Sequence, residues 1–527
     1  MVSLPAAPPT RAAAPAARGR LERLEPLVLP VIALVVALGV ALRLWSPSPL
    51  WLDEAQTVQF ARLPLGDLQE ALKTDGAPPL YYALLHGWLS MMDAFGLDDP
   101  WAARSLSMLF SLAALPPAYL AGRRLGGTRR HGEIALVVFA ANPWSVRYAG
   151  EARMYSLVVL LVLLGVLAMD WLRQRPGPLP VIALGTVTAA LLYTHYWAMF
   201  LLVTVGAVML VRAWRNPEGR RTARLALIGM AGGGLLFLPW VPTLLYQSDH
   251  TGAPWAARPD LGSIASLPAD WSGGEGPAGR SLALLVVPLI LLAVFARRRP
   301  GSSLVVGARP EGITARLAVI SGGTLLVALA VCMATGGAVV GRYTAVVVPL
   351  VLLLVAFGIR TLPPAAGVGV LSALVVFGLL AGLTAATTPH TQAGRIADVL
   401  DAQAKAGDLI IYCPDQLAPG VGAELTLTGL NTLTLPPQAN PAVVDWTDYE
   451  AQIEQLKPKV LADGIGDYAR SKPNSTVWFV SGVGYRTHAQ VCPALHNRLV
   501  DELGFPGQVL TRDGRGAEKA SLERFPR

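Results

Sequence analysis

Residues 27–44 read LVLPVIALVVALGVALRL, and seven residues later comes Trp51-Leu52-Asp53-Glu54-Ala55-Gln56. An apolar run of this length approaches the roughly 20 residues a helix needs to cross the hydrocarbon of a bilayer. No small-residue cleavage site follows it, so it reads as a retained first helix and not as a signal peptide. Two adjacent carboxylates at its far end would then stand close to the membrane surface.

Outward from this stretch the pattern repeats. Apolar runs fall at about 27–44, 102–122, 133–148, 155–172, 179–195, 198–213, 224–245, 281–296, 316–336, 344–359 and 365–386, which predicts a polytopic α-helical membrane protein of about eleven transmembrane helices. The chain is 53% hydrophobic and only 15% charged, a balance outside that of soluble multidomain proteins. Its net charge of +8 resides in arginines between the apolar runs, where they orient helices, so nucleic acid is discounted as a partner. The clusters Arg18–Arg23, Arg123–Arg130, Arg173–Arg175, Arg212–Arg224 and Arg297–Arg299, with Arg360, fall on one side, which the positive-inside trend makes cytoplasmic.

That alternation requires Leu80 to Phe95 not to span. Its Pro78-Pro79 start and its Tyr81, Tyr82 and Trp88 suit an interfacial helix within the first outer loop, 46–101. The expected organisation is a disordered cytoplasmic segment over 1–24, a transmembrane domain over 25–388 and an extracytoplasmic α/β domain over 389–527. In that tail Ala393–Ala406 and Gln490–Leu503 read as helices, Asp408–Cys413 and Val477–Ser481 as strands. The Gly/Ser/Pro-rich stretch 262–279 reads as a flexible outer loop.

The charged residues expected on the outer side form three groups. Asp53 and Glu54 come first; a carboxylate held beside low-dielectric lipid can act as a general base towards a hydroxyl. The alternative is a helix amino terminus, where acidic residues are favoured by the backbone dipole. Next is Arg147-Tyr148-Ala149-Gly150-Glu151-Ala152-Arg153-Met154-Tyr155, in which Glu151 and Tyr155 share a face if the turn is helical and Arg153 offers a fork for phosphate. A salt-bridged loop is the other account. The third is Gly341-Arg342-Tyr343, whose arginine runs against the positive-inside trend; an isolated snorkelling arginine would also explain it. His195, in Thr194-His195-Tyr196-Trp197, fits either a site or an aromatic belt.

Of three cysteines, Cys332 lies in an apolar run, while Cys413 and Cys492 lie in the tail without CxxC or His-pair spacing, which argues against zinc. As the only two cysteines beyond the last span, Cys413 and Cys492 are expected to pair in an oxidising compartment; two buried free thiols are the alternative.

Trp51-Leu52-Asp53-Glu54-Ala55, Ala77-Pro78-Pro79-Leu80-Tyr81-Tyr82, Glu151-Ala152-Arg153-Met154-Tyr155 and Gly341-Arg342-Tyr343 together resemble the GT-C glycosyltransferases of the glycosyltransferase 39 kind. This family includes protein O-mannosyltransferases and the aminoarabinose transferases that modify lipid A. The similarity covers about 27–386. It implies a GT-C fold and an enzyme that moves a mannose- or arabinose-type sugar from a polyprenyl-phosphate donor to an extracytoplasmic glycan, lipid or protein, usually with inversion, in a bacterial plasma membrane. No cofactor is required on that reading, and no divalent cation is indicated. The resemblance makes Asp53 the base or an acceptor-binding carboxylate, Glu54 its partner, and Arg153 and Arg342 candidate phosphate ligands; Glu151, Tyr155, Tyr343 and His195 are the further candidates on the donor side. Relatives often carry His or Lys directly before the Pro-Pro pair, where this chain has Ala77, and some carry Asp where it has Tyr155. Two other classes fit the outline: a transporter or lipid flippase, and a catalytically degenerate relative acting in assembly. A transporter usually holds ionisable groups near the bilayer midplane, whereas here the acidic groups gather at one outer face.

Overall fold

The computed structural model describes residues 15–97, 100–274, 276–298, 304–307, 309–513, 516 and 518–526. All eleven apolar runs are helical, yet among the described residues only eight helices are both long and apolar enough to cross a membrane. Pro178–Thr194 and Val348–Thr361 are shorter apolar helices. The run 133–148 is divided into Arg129–Ala141 and Pro143–Ala149, because Pro143 cannot continue the hydrogen-bond ladder and Asn142 caps the second helix through the Ser145 amide at 2.9 Å. The count of eleven spans is therefore an expectation that these helix lengths do not by themselves establish.

The break falls at the carbonyls of Phe139 and Ala140: Pro143 offers no amide to the first, which keeps a long bond from the Asn142 amide at 3.4 Å. Arg43, at the end of the first helix and buried, donates to both at 2.7 Å and to Ser111 at 3.0 Å. The first helix itself runs from Pro15 to Leu44, ten residues into the segment expected to be disordered. Ala16, Ala17, Arg18, Leu21, Glu22 and Leu24 are good helix formers and extend the apolar helix backwards; residues 1–14 lie outside the described residues. Leu34, Leu235, Leu284 and Leu326 project outward with 59–76% of their surface exposed, the apolar girdle that lipid would cover. Helices pack closely where side chains vanish: a Cβ on Gly229 would stand 2.7 Å from the Val181 carbonyl oxygen.

Within 46–101, helices Leu52–Arg62 and Leu80–Ala94 lie together, the second burying Tyr81, Tyr82, Leu85 and Leu89. The stretch 262–279 departs from expectation. Its first half forms two short helices, Leu261–Ala265 and Leu267–Trp271, because Trp271 is buried, donating from its indole to Thr344 at 2.8 Å while its carbonyl accepts from Asn142 at 3.0 Å. Strands β1 (Ala296–Arg298) and β2 (Leu304–Val306) form a small antiparallel pair.

The tail is a five-stranded sheet in the order β4-β3-β5-β7-β6, comprising β3 (Leu409–Cys413), β4 (Asn431–Thr434), β5 (Val477–Val483), β6 (Gly507–Leu510) and β7 (Lys519–Arg524). β3 is parallel to β4 and β5, and β7 is antiparallel to β5 and β6. Strand alternation sends Ile410, Tyr412, Trp478 and Val480 to a layer with Ile396 and Leu400 of helix Ala393–Gln403. Leu409, Ile411 and Phe479 face the opposite layer, with Ile465 of Pro458–Ser471 and Leu495 and Leu499 of Val491–Leu503. Burial on both faces explains the near-continuous apolar reading of β3. Cys413 and Cys492 are disulfide-bonded, their Cα atoms 5.6 Å apart.

Candidate active site

The site grows from the amino terminus of helix Leu52–Arg62, where Asp53 and Glu54 occupy the first turn. Their side chains diverge. Glu54 is fully buried; its Oε1 accepts from Arg104 Nε at 2.7 Å and the Ala152 amide at 2.8 Å, and its Oε2 from Arg104 Nη2 at 2.5 Å. Arg104, equally buried, also donates to the carbonyls of Ser46, Ser48 and Pro49. This bidentate pair ties helix Leu52–Arg62 to helix Pro100–Ala113, and the Glu54 carboxylate also holds the turn that carries Arg153.

Asp53 stays partly open, its side chain 18% exposed, with Oδ2 3.7 Å from Arg342 Nη1. The Arg342 guanidinium is framed by Trp255 at 4.8 Å, Tyr343 at 5.6 Å and Trp51 at 5.7 Å, and its Nε has no protein partner. Arg153 approaches from the other side. Its Nη1 donates to Thr57 Oγ1 at 2.7 Å, with the Asp53 carbonyl oxygen and Tyr82 hydroxyl each at 3.4 Å, and its buried Nε is unpartnered. Burial opposes the Arg153 charge, but Tyr82, Asp53 and other acidic partners outweigh it and hold the guanidinium protonated. The same balance, with Asp53 the largest favourable neighbour, raises Arg342. Two guanidiniums thus flank one carboxylate, each with donor capacity unspent.

Asp75, which the sequence reading passed over, joins this group. It accepts from Gln56 Nε2 at 2.9 Å and from the Tyr82 hydroxyl, and burial raises its pKa against the opposing pull of Arg153. Its position two residues before Ala77-Pro78-Pro79 was the available signal. Arg104 and Gln56 were likewise missed, since neither residue type nor spacing distinguishes them.

Glu151 and Tyr155 do not share a helical turn, because Glu151 to Met154 is irregular and the helix begins at Tyr155. Glu151 instead lies 3.2 Å from Arg147 Nη2, with neither oxygen in hydrogen-bonding geometry, and burial lifts its carboxyl to about 7. Tyr155 is buried, its hydroxyl unpartnered and its ring 6.0 Å from that of His195. His195 packs 5.2 Å from Tyr343 and accepts from the Trp197 amide at Nδ1. Burial, then Arg153 and Arg342, push the imidazole down to about 3, so it is neutral with its proton on Nε2. Among the described residues no three His, Cys, Asp or Glu side chains gather as a metal site.

An apolar cavity of about 150 Å³ lies among the helices that carry Leu191, Leu201 and Leu350 and is bordered also by Arg173, Arg212 and Arg316. The tail closes over the loop. Gln56 exchanges hydrogen bonds with the Val444 backbone at 3.0 and 3.3 Å, the Trp446 amide donates to the Thr74 carbonyl at 3.0 Å, and Trp51 packs with Val444, Tyr449 and Ile453.

The architecture is that of the GT-C glycosyltransferases. ArnT from Cupriavidus metallidurans bound to undecaprenyl phosphate superposes with a TM-score of 0.55 over 94% of this chain and 97% of its own, at 15% identity. The oligosaccharyltransferase AglB from Archaeoglobus fulgidus, in complex with an inhibitory peptide and a dolichol-phosphate, gives 0.50 over 94% of this chain and 74% of its own, at 11% identity. No family model and no curated protein matches the sequence.

Proposed function

We propose that this chain is a membrane glycosyltransferase that transfers a sugar from a polyprenyl-phosphate donor to an acceptor hydroxyl on the outer side of a bacterial plasma membrane. The observation that carries it is the Asp53 carboxylate, partly open and 3.7 Å from Arg342, with Arg153 holding its backbone carbonyl. Support comes from the lipid phosphates bound by two proteins of this fold, undecaprenyl phosphate by ArnT and dolichol-phosphate by AglB.

Asp53 takes the proton of the acceptor hydroxyl as its oxygen attacks the anomeric carbon. The bond from that carbon to the phosphate oxygen breaks on the opposite face, inverting the centre. Charge develops on the departing phosphate, where Arg342 and Arg153 have unspent N–H groups to meet it. The prenyl chain takes the apolar cavity. Neutral His195 with Tyr343 and Tyr155 forms the wall against the sugar, and Glu151 tunes the field of Arg147 and Arg342. Glu54, enclosed by Arg104, holds the loop and takes no proton. The amino terminus is cytoplasmic and the tail domain, with its disulfide, extracytoplasmic. The test is incubation of purified protein with a panel of polyprenyl-phosphate mannose, arabinose and glucose, reading free polyprenyl phosphate by mass spectrometry. Release from at least one donor is expected; release from none would remove the assignment.

A further inference from the structure

In the tail sheet the chain leaves β3 first to β4 on one side and then to β5 on the other, so a topological switch point lies between β3 and β5. Open α/β sheets bind ligands in the crevice at the carboxyl ends of their strands beside such a point. A cleft of about 560 Å³ opens at the carboxyl end of β5 on its β7 side, formed by Ser481, Gly482, Gly484 and Arg486, the start of helix Val491–Leu503, Arg512, and Glu523 of β7. None of it enters the mechanism above.

Its chemistry is cationic and rich in hydrogen-bonding groups. Arg486 and Arg512 both line it; Arg512 Nη2 donates to Ser481 Oγ at 3.4 Å, and Arg486 Nη1 to the Ala256 carbonyl at 2.7 Å. The carboxylate on its wall, Glu523, has Oε2 2.8 Å from His496 Nε2, with neither atom in hydrogen-bonding geometry. His488 is neutral, its Nε2 donating to the Leu435 carbonyl, and burial draws its pKa down to about 4. Asn497 is exposed at the rim. Tyr485 also lines the cleft, and its hydroxyl is buried without a hydrogen-bond partner among the described residues. A buried donor left unpaired calls for a ligand or water to complete it. The cleft adjoins the candidate active site through Arg486, whose partner Ala256 follows Trp255, the ring packed 4.8 Å from the Arg342 guanidinium that faces Asp53.

We propose that this cleft is the acceptor subsite and takes an anionic saccharide, with Arg486 and Arg512 meeting its carboxylate or phosphate and Asn497 its hydroxyls. Calling the ligand an acceptor rests on the reading of Asp53 as base; that an anionic sugar binds does not. Arginine forks favour planar or multi-oxygen anions over neutral hydroxyls, and a cleft with two guanidiniums against one carboxylate selects negative charge. A neutral glycan would gain nothing from either arginine.

The experiment uses the full chain in lipid nanodiscs and measures binding of three probes, trigalacturonic acid, mannose 6-phosphate and mannotriose, by saturation-transfer NMR and calorimetry. At least one anionic probe binds ten-fold or more tightly than mannotriose, and which one does identifies carboxylate or phosphate as the recognised group. Arg512→Ala weakens that probe at least ten-fold and Arg512→Lys only partly, with melting unchanged in both. Donor hydrolysis in the absence of acceptor stays as in the parent for both variants, so loss of the cleft is told apart from loss of the catalytic assignment. Equal binding of neutral and anionic probes, no binding of any, or full binding by Arg512→Ala would each overturn the proposal.

Discussion

Glu518, immediately before β7 and bridged to Thr391, accepts a hydrogen bond at 3.0 Å from the amide of Leu52, the first residue of the helix that carries Asp53. A side chain of the tail thus fixes the start of a helix that lies 466 positions earlier in the chain. The contact makes the tail part of the site's support.

Burial raises the Glu518 carboxyl to about 8, against hydrogen bonds from Thr391 and Leu52 that favour its charge. Its folded pKa exceeds the unfolded one, so its contribution is complete below about 4.5 and declines as pH rises through about 8. Melting temperature should fall across that window in the parent, and Glu518→Gln, a permanently neutral analogue, should flatten the fall. A pH series of thermal melts checks this, and an identical slope in both proteins would contradict it.

Glu54 and Arg104 form a fully buried ion pair. Removing one partner of such a pair leaves an uncompensated charge and costs about 3 to 5 kcal/mol. Arg104→Leu and Glu54→Ala should therefore express poorly or melt far below the parent. Glu54→Ala with parental melting and no turnover would instead make Glu54 a catalytic group.

Arg342 stands free on its Nε and pairs with Asp53 only at 3.7 Å. A charge-assisted hydrogen bond contributes about 1.5 to 3 kcal/mol, so Arg342→Ala should weaken binding of a polyprenyl-phosphate donor by roughly ten-fold to a hundred-fold. Microscale binding with a short-chain donor measures it, and unchanged affinity would take Arg342 out of the phosphate site.

Much of this was legible before any coordinates. Apolar length and arginine spacing marked the helices, and the strand β3, buried on both faces, announced itself through Leu409-Ile410-Ile411-Tyr412. The edge strands β4 and β6 did not, because Asn431 to Thr434 and Gly507 to Leu510 are largely exposed and carry no apolar alternation. Asp53, Arg153 and Arg342 were visible as charged residues in short outer turns. That Glu54 would turn inward was hidden, since its partner Arg104 sits 50 residues away inside an apolar helix. Asp75 had only its place two residues before Ala77-Pro78-Pro79 as a signal; Glu518 reaches the site through tertiary packing alone, and local pattern carries no trace of that convergence.

The orientation rests on arginine distribution and is open to direct labelling. Cysteine at Ser266, exposed after helix Leu261–Ala265, should react with an impermeant maleimide in intact cells, whereas cysteine at exposed Glu218 should not. Native background is low, because Cys332 is buried and Cys413 and Cys492 are bonded to each other. Reversed labelling would place Asp53 in the cytoplasm.

The central claim is that Asp53 removes the acceptor proton. Asp53→Asn keeps the size of the side chain and its place beside Arg342 while abolishing its basicity. Loss of one general base lowers rates by about 10² to 10⁴, so transfer by Asp53→Asn, followed as polyprenyl phosphate released in the presence of acceptor, should drop by that factor while donor affinity and melting stay near the parent's. Turnover equal to the parent's would contradict the account.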